Sequence, residues 1–259
     1  MSNYLLIPFI AWFAVSVIMI FIFFIALKIK NNGIVDIFWA FNFLVIACII
    51  FNLSDGFSVR KNIVFILSSL WSIRLGIYLL KRVGGHLKVE EGRYKALRAE
   101  WSSAKFFGFY LMQAFSNIFL AIPFFITSLN KNIEISFLEY FGAVLWFIAI
   151  CGEGISDWQL SYFKSKSENK GTVCEYGLWN YSRHPNYFFQ LLIWIAVFIF
   201  SISSPYGWLS ILCPISIGFL LFKVTGIPMT EEQAIRSKGK AYLNYQKTTS
   251  VFVPWFKKK

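Results

Sequence analysis

Apolar residues in this chain come in long unbroken runs, and seven of the runs dominate the pattern: 4–27, 34–52, 62–80, 106–128, 136–156, 186–202 and 206–224. A helix needs about 20 apolar residues to cross roughly 30 Å of hydrocarbon, so each run is predicted to be a membrane helix. The expected fold is therefore all-α: a polytopic membrane protein with seven transmembrane helices and a cytoplasmic amphipathic segment at the C-terminus. The first run is too long and too aromatic, and too soon followed by the second, for a cleaved signal peptide, so it is read as part of the mature protein. With no internal repeat, low-complexity tract or linker, a single membrane domain over 1–259 is expected. The polar segments 157–185 and 225–259 would complete its cytoplasmic side.

Composition supports a lipid-facing fold. Only 15% of residues are charged against 57% hydrophobic, and the mean hydropathy is +0.59; a soluble domain carries roughly 25% charged residues. Basic residues set the orientation, because positive loops stay inside. Alternate loops and the tail hold 20 of the 25 Lys and Arg, whereas Arg60, Lys61 and Lys131 fall on the other side. The N-terminus is expected outside and the C-terminus in the cytoplasm, in a bacterial inner membrane. The net charge of +12 suits anionic headgroups. Nucleic acid is excluded as a partner because the aromatic residues lie inside the spans.

Metal chemistry is also excluded. The chain has two histidines, His86 and His184, and its four cysteines include no CxxC pair. Gly152-Glu153-Gly154 lacks the third glycine of a dinucleotide fingerprint, and no Walker A sequence is present. A nucleotide cofactor would have to bind between helices and cytoplasmic loops.

The candidate chemistry lies in polar residues at the edges of the runs. Tyr181-Ser182-Arg183-His184-Pro185-Asn186-Tyr187 places a guanidinium, an imidazole, an amide and two phenols just before an apolar helix. Pro185 suits a first helical turn, but the other groups at that depth call for protein partners or a ligand. Arg183 offers a fork suited to phosphate, and Asn186 an amide able to read a carboxamide or an adenine edge. Asp36 opens the second run, where a helix N-terminus also favours a carboxylate. Trp71 and Arg74 lie within the third, with Arg74 well short of Lys81 and Arg82. Glu153, Asp157, Leu160 and Lys164 recur at helical spacing, putting three ionisable groups on one face. In the tail, Ala234, Ala241 and Tyr245 alternate with lysines as in an interfacial helix.

Taken together, Ser182 to Tyr187, Asp157-Trp158-Gln159 and Lys238 to Phe256 resemble the steroid 5-alpha-reductase-like membrane family, in its bacterial branch known as domain of unknown function 1295. The likeness extends from Asp36 and the Trp-x-x-Arg of the third run through Glu91-Gly92-Arg93-Tyr94 to the C-terminus. It implies a seven-helix reductase that binds NADPH from the cytoplasmic side and reduces a carbon–carbon double bond conjugated to a ketone in a lipid-soluble, steroid-like substrate. Arg74, Arg82, Lys164 and Arg183 are candidate phosphate partners. By the resemblance Asp157, Asn186, Gln190, Tyr242 and Tyr245 line the cofactor, with Tyr181, His184 and Tyr187 beside them, and Asp36 and Trp71 occupy the catalytic positions. Two features depart from the family pattern: Asn186-Tyr187-Phe188-Phe189-Gln190 stands where Asn-Tyr-x-Gly-Glu is common, and Trp71 stands where steroid-reducing members carry tyrosine.

Two other readings use the same residues. Membrane methyltransferases of the isoprenylcysteine and phospholipid type, which use S-adenosylmethionine, also carry Arg-His-Pro-x-Tyr and a later Glu-Glu, as at Arg183 to Tyr187 and Glu231-Glu232. The third reading is a non-catalytic lipid-binding protein.

Overall fold

The computed structural model describes residues 3–84, 90 and 92–257, the side chains of Gly92 and Arg93 excepted. His86, Lys88 and Glu91 lie outside the described residues. The fold among them is all-helical. It divides into two compact units, residues 1–136 with 201–209, and residues 137–200 with 210–259.

The first unit contains α1 (Asn3–Ile29), α2 (Ile34–Leu53), α3 (Ser58–Gly84), the short α4 (Gly92–Glu100), α5 (Ser103–Leu120) and α6 (Ile122–Ser128). On α1 the buried residues Ile7, Ala11, Val15, Met19, Ile22 and Ala26 recur every three or four positions. One stripe thus packs against protein while Phe9, Phe13, Phe21 and Phe24 on the others stay exposed, as lipid contact requires. The α2–α3 seam is built on small residues. Ser72 Oγ donates to the Ala40 carbonyl at 2.6 Å and accepts from Leu44 N–H at 3.1 Å, and Gly76 lies where a Cβ would come 2.6 Å from the Phe41 ring. Small residues and interhelical hydrogen bonds hold helices together in lipid, where no hydrophobic force does so. Asn117 ties α5 to α2 through Asn42 Nδ2 and the Trp39 carbonyl, both at 2.9 Å. At the far end Arg60 is buried, and its guanidinium donates to the carbonyls of Asn130, Asn132 and Glu134.

The second unit contains α7 (Phe137–Ser165), α8 (Pro185–Ser201), α9 (Leu212–Phe219), α10 (Ile227–Lys238) and α11 (Lys240–Thr248). Helices α7 and α8 meet at Gly142, where a Cβ would fall 2.7 Å from Phe200 N and 2.8 Å from the Ala196 carbonyl. Backbone cannot yield as a side-chain tip can, so Gly142→Ala is expected to cost about 1–3 kcal/mol through overpacking. Thermal melting in detergent measures it. Gly239, with φ of 54°, makes the turn from α10 to α11 in a region that side-chain-bearing residues avoid.

Each predicted apolar run coincides with helix, but their form differs from seven plain spans. Among the described residues, five helices are long and apolar enough to cross a membrane, and α5 with α6 makes a sixth if the pair is counted as one bent span. The 106–128 run is broken by a 41° bend at Ala121, just before Pro123. The 136–156 run continues as helix to Ser165, because the amphipathic Glu153–Lys164 stretch keeps helical spacing after the apolar residues end. The 186–202 run forms α8, which at 17 residues falls short of the helices long enough to cross. The 206–224 run starts in tight helical turns at 207–211, becomes α9, and widens into a π-helical turn at 220–224.

Candidate functional site

In the second unit the residues before α8 converge on one carboxylate, Glu231 of α10. Arg183 Nε donates to Glu231 Oε1 at 2.7 Å, and His184 Nε2 lies 3.2 Å from the same oxygen. Tyr242 O–H donates to Oε1 at 3.4 Å and Gln246 Nε2 to Oε2 at 2.9 Å. Arg183 Nη1 completes the tie by donating to the carbonyls of Gln246 at 2.8 Å and Thr249 at 3.1 Å. Burial alone would raise the Glu231 carboxyl, but the contacts with His184 and Arg183 outweigh it and hold it well below the usual carboxylate range. The His184 ring is buried and stacks on Tyr187 at 5.3 Å, almost coplanar in tilt, while Tyr187 O–H meets Thr230 Oγ1 at 3.1 Å.

Tyr245 donates to the carbonyls of Trp179 and Ser182. Burial, chiefly, pushes the phenols of Tyr242 and Tyr245 far above their ordinary value, so both stay protonated and serve as donors. Four of the predicted cofactor residues, Arg183, His184, Tyr242 and Tyr245, are therefore bound into a network that ties the tail to the start of α8.

A different group remains for a ligand. Asn186, in the first turn of α8, donates from Nδ2 to Asp157 Oδ1 of α7 at 3.3 Å and accepts from Tyr187 N–H at 3.0 Å. Gln190 follows one turn later on the same face. It is half-buried, and no hydrogen bond reaches its amide among the described residues. Asp157 and Glu153 are buried on α7, and Lys164 lies exposed near its end. Tyr181 is exposed at the margin, with its ring edge-on to Phe256 at 6.1 Å.

In the first unit the predicted residues separate. Trp71 is only 2% exposed and packs edge-on against Phe43 and Trp39, in the core between α2 and α3. Arg74 is half-buried one turn later on α3. Asp36 accepts from the buried Tyr94 O–H at 2.8 Å, and Arg82 Nη2 lies 3.9 Å from its other oxygen. Nearby, Glu90 takes both Arg98 Nε and Nη2 at 2.8 Å and the Asn32 backbone N–H at 2.8 Å. Burial alone would raise the Glu90 carboxyl, but Arg98 and Asn32 outweigh it and hold it below the usual range.

The family model described as "Protein of unknown function (DUF1295)" matches residues 22–249. The chain belongs to that family. No curated protein and no solved structure matches it. The DUF1295 match runs from within α1 to the residue after α11, so it takes in Asp36, Asp157, Asn186, Gln190 and the Glu231 network.

Sequence reasoning passed over three residues of these clusters. Glu231 entered only as half of a Glu-Glu pair, although the guanidinium at 183 at the edge of an apolar helix called for a counter-ion. Gln246 carried no local signal. Tyr94, in α4, entered only within Glu91-Gly92-Arg93-Tyr94 and without a role of its own.

Proposed function

We propose that the chain is an NADPH-dependent membrane reductase of a carbon–carbon double bond conjugated to a ketone in a lipid-soluble substrate. The observation that carries this reading is the α8 face of Asn186 and Gln190 opposite Asp157. The half-buried Gln190 amide, which meets no hydrogen-bond partner among the described residues, is open to a ligand on an otherwise apolar helix. An amide pair backed by a carboxylate matches the donor and acceptor pattern of a nicotinamide carboxamide. These residues suit NADPH, which when bound supplies the hydride. Asn186 and Gln190 orient the carboxamide, Asp157 fixes the Asn186 amide, and Lys164 offers positive charge for phosphate. By the family resemblance alone, and independently of the α8 face, Asp36 is the candidate proton-handling group, and Tyr94 donates a hydrogen bond to it.

Adenosylmethionine fits less well at the Glu231-Glu232 pair that the methyltransferase pattern points to, because its cationic sulfonium and ammonium call for an available carboxylate there. Glu231 has both oxygens occupied, and Glu232 pairs with Arg236 on an exposed face. The distribution of Lys and Arg supports seven crossings with the N-terminus outside and the C-terminus in the cytoplasm.

Titration of the purified protein with NADPH, followed by energy transfer from its tryptophans, tests this reading. Saturable binding is expected, weakened tenfold or more, about 1.4 kcal/mol, by Asn186→Ala and by Asp157→Ala. Melting without ligand controls for folding. Binding of adenosylmethionine without NADPH, or of neither, would overturn the assignment.

A further inference from the structure

The chain leaving α11 returns across the start of α8. Trp255 N–H donates to the Tyr181 carbonyl and Arg183 N–H to the Ser250 carbonyl, both at 2.9 Å, and Ser182 Oγ donates to the Phe252 carbonyl at 2.8 Å. Between the two strands of chain lies an open cleft of about 450 Å³ whose walls include Arg183, Val251, Val253, Trp255 and Phe256.

Three features of this cleft are unusual for a surface in water. Its apolar walls are exposed, Val253 by 52%, Trp255 by 67% and Phe256 by 75%, and contiguous exposed apolar side chains mark a binding surface. At its base is Arg183, whose Nε and both Nη1 hydrogens are engaged while no acceptor among the described residues meets Nη2. The segment that supplies the cleft's walls is basic in sequence, with seven Lys and Arg and no Asp or Glu over 233–259, although Glu231 pairs with Arg183 and Glu175 with Lys257.

We propose that this cleft is a binding site for the headgroup of an anionic phospholipid. The cleft's Arg183 stands two residues before Pro185, where the apolar helix α8 begins, and that end of an apolar helix is where headgroups rather than acyl chains are met. Tryptophan and phenylalanine flanked by lysines suit that interface. The lipid phosphate accepts from Arg183 Nη2, the glycerol and upper acyl carbons lie against Val251, Val253 and Trp255, and the basic character of the tail sequence favours a net negative headgroup over a zwitterionic one. This site is separate in its chemistry from the Asn186–Gln190 face and does not depend on the reductase reading.

The test compares retention of phosphatidylglycerol and phosphatidylcholine by the full-length protein, counted by native mass spectrometry from mixed micelles. Wild type and Val253→Leu are expected to retain phosphatidylglycerol preferentially. Val253→Glu, which sets a like charge at the phosphate, and Trp255→Ser, which removes a wall, are expected to lose that preference by roughly fivefold, about 1 kcal/mol. Both positions are exposed, and unchanged melting in phosphatidylcholine confirms folding. Equal preference in all four proteins would refute the site. So would displacement of bound phosphatidylglycerol by millimolar NADPH or inorganic phosphate, which would assign the cleft to a soluble anion.

Discussion

Glu231→Ala is expected to lower stability by about 3–5 kcal/mol, the largest effect of any single substitution considered in this protein. The side chains of Arg183 and Glu231 are only 11% and 15% exposed, and breaking such a pair leaves a guanidinium with little water to replace its counter-ion. The loss does not stop at one pair. Glu231 is the common acceptor for Arg183, His184, Tyr242 and Gln246, groups from the approach to α8 and from α11. Without it the tail loses its charged anchor, although the Arg183 bonds to the Gln246 and Thr249 carbonyls remain in reach. Melting in detergent gives the stability change, and hydrogen exchange should show faster opening of residues 246–255 than of α7. Glu232→Ala is the control. Its partner Arg236 is 77% exposed and four residues away on the same helix, a pair worth a few tenths of a kcal/mol. If Glu231→Ala melts with the control, the network is decorative and the account given for the tail is wrong.

The same network shows what the sequence could and could not convey. Runs of apolar residues placed α1, α2 and α3 closely, because a bilayer enforces helix wherever it is crossed. The bend at Ala121 and the wide turn at 220–224 were not visible, since both are local backbone adjustments within continuous apolar sequence. In the polar regions, residue type was legible and pairing was not. Arg183 and His184 stand out by charge at the edge of a membrane helix, yet their acceptor lies 48 and 47 residues away, and only the fold brings it near. Hence charge alone points Arg183 at a ligand phosphate, whereas most of its donors serve the tail. Asn186 and Asp157 were both singled out, but their contact across 29 residues depended on the long extension of α7. Trp71 was chosen by its position in a motif, and nothing in the motif revealed that its indole is packed among Phe43 and Trp39.

Asp36→Asn is expected to reduce turnover of an enone lipid roughly 100-fold while leaving NADPH affinity unchanged, the low end of what a positioned proton-transfer group contributes. Asp36 is the accessible member of its cluster, with its side chain 19% exposed, whereas Tyr94 behind it is fully buried. On the proposed reductase reading Tyr94 is a positioning residue: its O–H donates to one carboxylate oxygen at 2.8 Å, and Arg82 stands 3.9 Å from the other. Tyr94→Phe removes a hydrogen bond to a charged acceptor, worth about 1.5–3 kcal/mol, and should slow turnover by roughly tenfold or more through misplacement of Asp36. Because the phenol works only through the carboxylate, the double variant should be no slower than Asp36→Asn alone. Single-turnover rates with NADPH, together with melting temperatures, separate this from a purely structural tie. A structural tie would lower the melting temperature of both single variants and leave the rate per folded molecule intact. Independent, multiplying losses in the double variant would instead show that Tyr94 acts on the reaction by a route that does not pass through Asp36.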